Sequence, residues 1–276
     1  MRKIRINEGI DEMGTPDMKY YAFDWDDNVV HMPTKIMLRT EDGDEVGMST
    51  DDFAEYRHNI GKTPFNYKGD VIVGYTEEPF KNFRTSGDKN FLIDAMRAKL
   101  GPAFNDFKEA INGGSIFSII TARGHNPETL KQAVYNYIID GFNGIDKEEL
   151  VKNLRKYRDI SDEEDMTDDE LIKSYLDMNR FHPVSYNDPE GAANPEEAKV
   201  RAMDKFVDYV REMVLKLNKK GYLKKDIGNK FVPKEPSIGF SDDDIRNVEV
   251  MKKHFKDRPD NIVKTYSTAG GIKKEY

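Results

Sequence analysis

The sequence contains no cysteine, which excludes disulfides, thiolate nucleophiles and thiolate metal ligands together. A metal site would have to use oxygen or histidine, and only 5 histidines are present. No segment approaches the roughly 18 consecutive apolar residues of a membrane span. The amino-terminal stretch MRKIRINEGIDEMG lacks the apolar centre of a signal peptide. These absences lead to the expectation of a cytoplasmic protein with no membrane partner. Positive charge is the minority sign: 43 Lys and Arg stand against 51 Asp and Glu, a formal charge of -8. That balance argues against a broad nucleic-acid face.

What is present suits a folded domain. The 276 residues correspond to about one or two domains of roughly 100–200 residues. Charged residues make up 34% of the chain, but 37% is hydrophobic and the 15 Phe and 14 Tyr supply large apolar faces, so general disorder is not expected.

The stretch from Tyr20 to Val30 is the organising feature. Tyr20-Tyr21-Ala22-Phe23 reads as a buried strand, and it runs directly into Asp24, Asp26, Asp27 and Asn28. Unpaired buried carboxylates are costly, so the cluster is placed at the strand's carboxyl end, where open α/β sheets bind ligands. A second apolar strand, Ser115 to Thr121, leads into Ala122-Arg123-Gly124-His125-Asn126-Pro127 and a helix at 128–139. A continuous apolar strand followed by a loop and helix is one unit of a mostly parallel sheet. Phe181 to Tyr186 is assigned as a third strand. Pro236 to Ser241 is a short fourth strand, ending in Asp242, Asp243 and Asp244. Helices are expected at about 89–100, between Asp146 and Asn179, at 195–218 and at 245–255. Asp146 with Glu149 and Thr167 with Glu170 have capping-box spacing. The acidic run Ser161 to Asp165 reads as a solvated linker. A last strand is placed at Ile262 to Tyr266, with residues from Ser267 expected to fray.

The predicted fold class is therefore α/β, a Rossmann-like, mostly parallel sheet flanked by helices, with an inserted cap. The core is assigned to 18–30 and 88–266, with a possible helical insertion at 141–180. Residues 31–87, where strand and turn signals alternate without a long helical period, are assigned as the cap or lid. Residues 1–17 are assigned as an amino-terminal arm, with a short edge strand at Lys3 to Asn7.

Three strands thus end in oxygen-bearing side chains: Asp24 with Asp26, Thr121, and Asp242 with Asp243. Several carboxylates without His or Cys partners suit magnesium. At these residues the chain resembles the haloacid dehalogenase-like (HAD) hydrolases, most of them magnesium-dependent phosphatases. Phe23-Asp24-Trp25-Asp26-Asp27-Asn28-Val29 is similar to that family's opening Asp-x-Asp motif, with Asn28 where Thr or Val is usual. The resemblance implies Asp24 as nucleophile, Asp26 as general acid and base, and the Asp26 main-chain carbonyl as a metal ligand. It implies Thr121 as a phosphoryl-binding residue, and Asp242 with Asp243 as the acidic pair of the metal site. An alternative alignment selects Asp244. The family's phosphate-neutralising lysine is assigned to Lys199, with Lys230 and Lys234 as alternatives. The implied metal set is Asp24, Asp26, Asp242 and Asp243.

The implied activity is magnesium-dependent hydrolysis of a small phosphorylated substrate through an aspartyl-phosphate. Two other readings stand beside it: a metal-binding protein of the same fold with little turnover, and a nucleotide or nucleic-acid end phosphatase, which the negative charge does not favour. His31, Lys35, Arg39, Arg57 and Lys62 of the inserted stretch are candidates to meet a leaving group, although each reads more readily as an ordinary surface side chain. His125 is a candidate for substrate or phosphate contact. His182 reads as a strand-start residue. Oligomeric state is not encoded in any of these patterns.

Overall fold

Alternation along two strands decides the architecture. In a strand, successive side chains point to opposite faces, and here both faces are buried. A computed structural model of the chain describes residues 9–10, 16–17, 19–157, 166–186, 195–219, 236–256, 258 and 262–276. In chain order the elements begin with the short strands β1 (Gly9–Ile10) and β2 (Pro16–Asp17), then β3 (Lys19–Phe23), β4 (Val30–His31), β5 (Ile36–Thr40) and β6 (Glu45–Met48). They continue with α1 (Thr50–Tyr56), β7 (Phe65–Tyr67), β8 (Asp70–Tyr75), α2 (Asp88–Ala95), β9 (Lys99–Leu100), α3 (Phe104–Asn112), β10 (Phe117–Thr121) and α4 (Pro127–Ile139). The remainder is α5 (Lys147–Tyr157), α6 (Asp168–Met178), β11 (Arg180–Pro183), α7 (Pro195–Lys219), β12 (Ser237–Asp242), α8 (Ile245–Lys256), β13 (Val263–Ser267) and β14 (Lys274–Glu275).

The main sheet has six strands in the order β11-β10-β3-β12-β13-β14. The first five are parallel and β14 runs antiparallel at the edge. Phe23, Phe117 and Ile119 point to one face, where they share a core with Phe107, Val134, Leu150 and Tyr175 of α3 to α6. Tyr20, Ala22, Ile120, Ile238 and Phe240 point to the other, against Met203, Phe206 and Val210 of α7 and Met251 of α8. The result is a mixed α/β structure with a mostly parallel sheet between helices. The strand order switches at β3: the chain adds β10 and β11 on one side and then β12 and β13 on the other. In such sheets the carboxyl edge at the reversal is where a ligand site forms.

Residues 31–87 form a separate antiparallel sheet, β6-β5-β8-β7, with its own core of Ile36, Leu38, Met48, Ile60, Tyr67 and Ile72. The turn between β5 and β6 uses Gly43 at φ 89, a left-handed conformation that glycine adopts without strain. Ser49 caps α1 by accepting from the Asp52 backbone N–H. Helices α5 and α6 contribute Leu150, Leu154, Leu171 and Tyr175 to the main core, so both pack in the helical layer on the main sheet.

Several sequence expectations need correcting. The helix expected through Leu100 ends at Ala95, because Lys99 and Leu100 instead pair with His31 and Val30. Gly101 then crosses so near Asn28 that a β-carbon there would lie 2.3 Å from its carbonyl oxygen. Helix α3, whose Phe104, Phe107, Ala110 and Ile111 are buried on one face, has no counterpart in the sequence reading. The third strand ends at Pro183 rather than Tyr186. The carboxyl-terminal residues do not fray, since β14 supplies edge partners for Tyr266 and Ser267 of β13. The Lys3–Asn7 strand and the acidic run 161–165 lie outside the described residues.

Candidate functional site

Asp24 follows β3 directly, and its backbone N–H is bonded to the carbonyl of Ser241 on β12 (3.0 Å). This register brings the ends of the two strands together, so Asp24 meets Asp242 and Asp243. One oxygen from each of these three carboxylates lies within 4.8 Å of the others. Asp24 and Asp242 are buried.

Lys199, in the first turns of α7, enters this group from the helix side. It is 3% exposed, donates to Asp242 Oδ2 at 2.7 Å, and stands 3.0 Å from Asp24 Oδ1. That contact is an ion pair without hydrogen-bond alignment, and Asp24 Oδ1 has no hydrogen-bond partner. Burial pulls the lysine pKa down, but the charges of Asp24 and Asp242 overcome it and hold Lys199 above its ordinary value. Burial pushes Asp24 well above the usual carboxylate range; Lys199 opposes this, while Asp242 and Asp26 add to it. Asp243 is raised by burial and by the nearby Asp242 and Asp24.

Asp242 is also held in place by its own chain. Oδ1 accepts from the Asp244 backbone N–H (2.9 Å), and Asn247 Nδ2 donates to both oxygens. Asp244 turns away. Burial raises its pKa, but hydrogen bonds from the Arg246 side chain and backbone bring it below the ordinary value, with Arg246 gripping both oxygens at 2.9 and 2.7 Å. The geometry therefore groups Asp243, not Asp244, with Asp24 and Asp242.

Asp26 has a different partner. Arg123, two residues beyond Thr121, donates from Nε to Asp26 Oδ2 (2.7 Å) and from Nη2 to Oδ1 (2.6 Å). Its guanidinium also donates to Thr34 Oγ1 (3.1 Å) and lies over the rings of Phe83 and Phe91 at 4.6 and 5.0 Å. The Asp26 carboxylate is thus outside the three-carboxylate group. Thr121 ends β10 with its hydroxyl 3.4 Å from Asp26 Oδ2.

Asn28 ties the three strand ends. Its Nδ2 donates to the carbonyls of Asp24 and Ser241, and its Oδ1 accepts from Thr268 Oγ1 at 2.8 Å. Asp27, in a left-handed conformation at φ 56, accepts or shares a proton with His31 Nδ1 at 2.8 Å; burial raises its pKa.

The inserted sheet lies over these residues. Arg57 pairs with Glu196 at 3.0 Å, His58 meets Arg246 at 3.1 Å, and Arg84 donates to the Ser185 carbonyl at 3.0 Å. Between sheet and core is a cavity of about 540 Å³, lined by Asp24, Thr121, Lys199, Asp242 and Asp243 below and by Phe53, Tyr75 and Phe80 above.

Of the other sequence candidates, Arg57 lines the cavity while Lys35, Arg39 and Lys62 do not. His125 is buried among protein groups, with Nδ1 2.8 Å from Asp88, Nε2 3.1 Å from Arg123, and its ring on Phe91. Burial and Arg123 lower its pKa. Lys230 and Lys234 lie outside the described residues. The sequence reading gave no role to Arg123, in the loop after β10, or to Asn247, in the first turn of α8.

The three carboxylates fit a metal ion. Among the described residues they face a single ammonium, which leaves two negative charges uncompensated when all are ionised; burial first, and then the neighbouring carboxylates, raise Asp24 and Asp243. A divalent cation would offset it. No family model, curated protein or solved structure matches this chain. The chemistry of the site accordingly rests on its own geometry.

Proposed function

We propose that the protein is a phosphomonoester hydrolase that works with magnesium through an aspartyl-phosphate on Asp24, in the manner of the haloacid dehalogenase-like hydrolases it resembles. The observation that carries this reading is the buried Asp24 at the sheet's reversal point, with a hydrogen-bond-free oxygen beside Lys199 and two further carboxylates. Magnesium held by Asp24, Asp242, Asp243 and the Asp26 main-chain carbonyl would supply positive charge to the transferring phosphoryl group.

The chain's own residues account for the remainder. An Asp24 oxygen attacks phosphorus, forming a P–O bond as the bond to the leaving oxygen breaks. Lys199 neutralises charge between nucleophile and phosphoryl oxygens, and Thr121 donates a hydrogen bond to that group. Asp26, which must be protonated in the substrate complex, gives that proton to the leaving oxygen. It then accepts one from the water that attacks phospho-Asp24, which releases phosphate and restores the free carboxylate. For this Asp26 must give up one bond to Arg123 as the leaving group enters. The sheet of residues 31–87 acts as a lid that excludes bulk water.

The test is phosphate release from a panel of phosphomonoesters with and without magnesium, with Asp24→Asn as the control. Magnesium-dependent release that vanishes in Asp24→Asn, with an acid-stable phosphate label trapped on the wild-type protein, is the expected result. No release from any substrate and no trapped label would leave a metal-binding protein without turnover.

A further inference from the structure

The cavity is chemically two-sided. Its floor is acidic and carries Lys199; its roof is a cluster of rings. Phe53 comes from α1, Tyr75 ends β8, and Phe80 and Phe83 follow in the next turn. Neighbouring centroids are 5.7 Å apart for Phe53 and Phe80, 6.1 Å for Tyr75 and Phe80, and 6.4 Å for Phe53 and Tyr75. Tyr75 remains 37% exposed. The arginines of the inserted sheet that line the cavity are already engaged, Arg57 with Glu196 and Arg84 with the Ser185 carbonyl.

This roof selects against polyhydroxyl leaving groups. Against the rings, sugar hydroxyls would lose water without gaining hydrogen-bond partners. A planar ring loses little water there and gains stacking, worth about 1–3 kcal/mol per base on aromatic side chains. Thr50 and Glu196 line the same cavity; the Thr50 hydroxyl is bonded to Asp27 and one Glu196 oxygen to Arg57, which leaves the other Glu196 oxygen to accept from the few hydroxyls of a pentose. The volume of about 540 Å³ lies within the roughly 300–1,000 Å³ of small-molecule sites.

We propose that the leaving group is a nucleoside: the phosphoryl group sits at Asp24 and Lys199 while the base stacks under Phe53, Tyr75 and Phe80. This rests on the hydrolase reading above, and the two are separable by experiment. Adenosine 5'-monophosphate, ribose 5-phosphate and phenyl phosphate differ in having ring and sugar, sugar alone, and ring alone. Turnover with magnesium should give adenosine 5'-monophosphate a kcat/KM at least about tenfold above both others, within the range of base stacking. Tyr75→Leu, checked for an unchanged melting curve, should lower that value at least about threefold and lower ribose 5-phosphate turnover by a smaller factor. Equal turnover of ribose 5-phosphate overturns the stacking role, and equal turnover of phenyl phosphate overturns the nucleoside. Equilibrium binding to Asp24→Asn needs no turnover. A preference there of at least about fivefold for adenosine 5'-monophosphate over ribose 5-phosphate supports the ligand class even if hydrolysis fails, and no preference overturns it.

Discussion

Arg123 holds Asp26 by both carboxylate oxygens, at 2.7 and 2.6 Å, while its own guanidinium is 1% exposed and sandwiched near Phe83 and Phe91. The pair joins the loop after β3 to the loop after β10 and includes Thr34 of the inserted segment. Removing Asp26 alone leaves a buried cation without its counter-charge, which typically costs about 3–5 kcal/mol. Asp26→Ala should therefore be strongly destabilised in urea unfolding. The double variant Asp26→Ala with Arg123→Ala should recover part of the loss, and strict additivity of the two single changes would refute the coupling.

Lys199 compensates carboxylates that burial already disfavours. In Lys199→Met the Asp24 pKa rises further above its unfolded value of about 3.9. A carboxyl with a raised native pKa binds its proton more tightly when folded, so its ionisation costs stability as pH climbs past the unfolded value. The stability deficit of Lys199→Met should thus grow as pH rises through the raised Asp24 pKa of the wild type. A deficit that stays constant in thermal melts across the whole accessible pH range would argue against this account.

Magnesium should stabilise the folded protein by mass action, about 2.7 kcal/mol at one hundred times its dissociation constant. For a chain of this size that corresponds to a Tm increase of roughly 5 °C. Asp243→Asn should abolish most of the increase. Asp244→Asn, which breaks only the pair with Arg246, should retain it. The reverse ranking in thermal shift would move the site to Asp244.

His182 on β11 gives a pH dependence remote from the carboxylates. Burial, with Lys205 and Arg180 nearby, lowers its pKa to about 4. The folded state favours the neutral ring, so this contribution is complete above the unfolded value of about 6.5. It is lost as pH falls from there toward 4. Replacing His182 with Asn should flatten the decline in Tm between pH 7 and pH 5, and an unchanged slope would exclude His182 as its source.

Asn28 is a structural test of the same region. Its amide joins the ends of β3 and β12 and accepts from Thr268. Asn28→Ala leaves buried polar partners unsatisfied, at about 1–3 kcal/mol each. It should lower stability by roughly 2–4 kcal/mol in denaturant titration, with Asn28→Asp less damaging if hydrogen bonding to Thr268 is what matters most.

Much of this was written in local patterns. The apolar run Tyr20-Tyr21-Ala22-Phe23, the capping box of Thr167 with Glu170, and the acidic residues ending β3 and β12 follow from nearest neighbours and elementary solvation. They marked Asp24, Thr121 and Asp242 without any contact being known. The helix ending at Ala95 was not legible, because 96–100 keeps a helical spacing until pairing of Lys99 and Leu100 with the loop after Asp24 outweighs it. The same holds for the ordered tail, whose hydrogen-bond partners on β13 are tertiary neighbours.

The sequence by itself determined which residue types stand at which strand ends, since burial of apolar runs and the cost of buried charge are local constraints. Only the tertiary structure decided their pairing. It gave Lys199 to Asp24 and Asp242, Arg123 to Asp26, and Arg246 to Asp244. Charges select partners through distances of about 3 Å, and in the first two cases those distances come from helices and strands far apart in the chain, brought to one edge by the burial of both sheet faces.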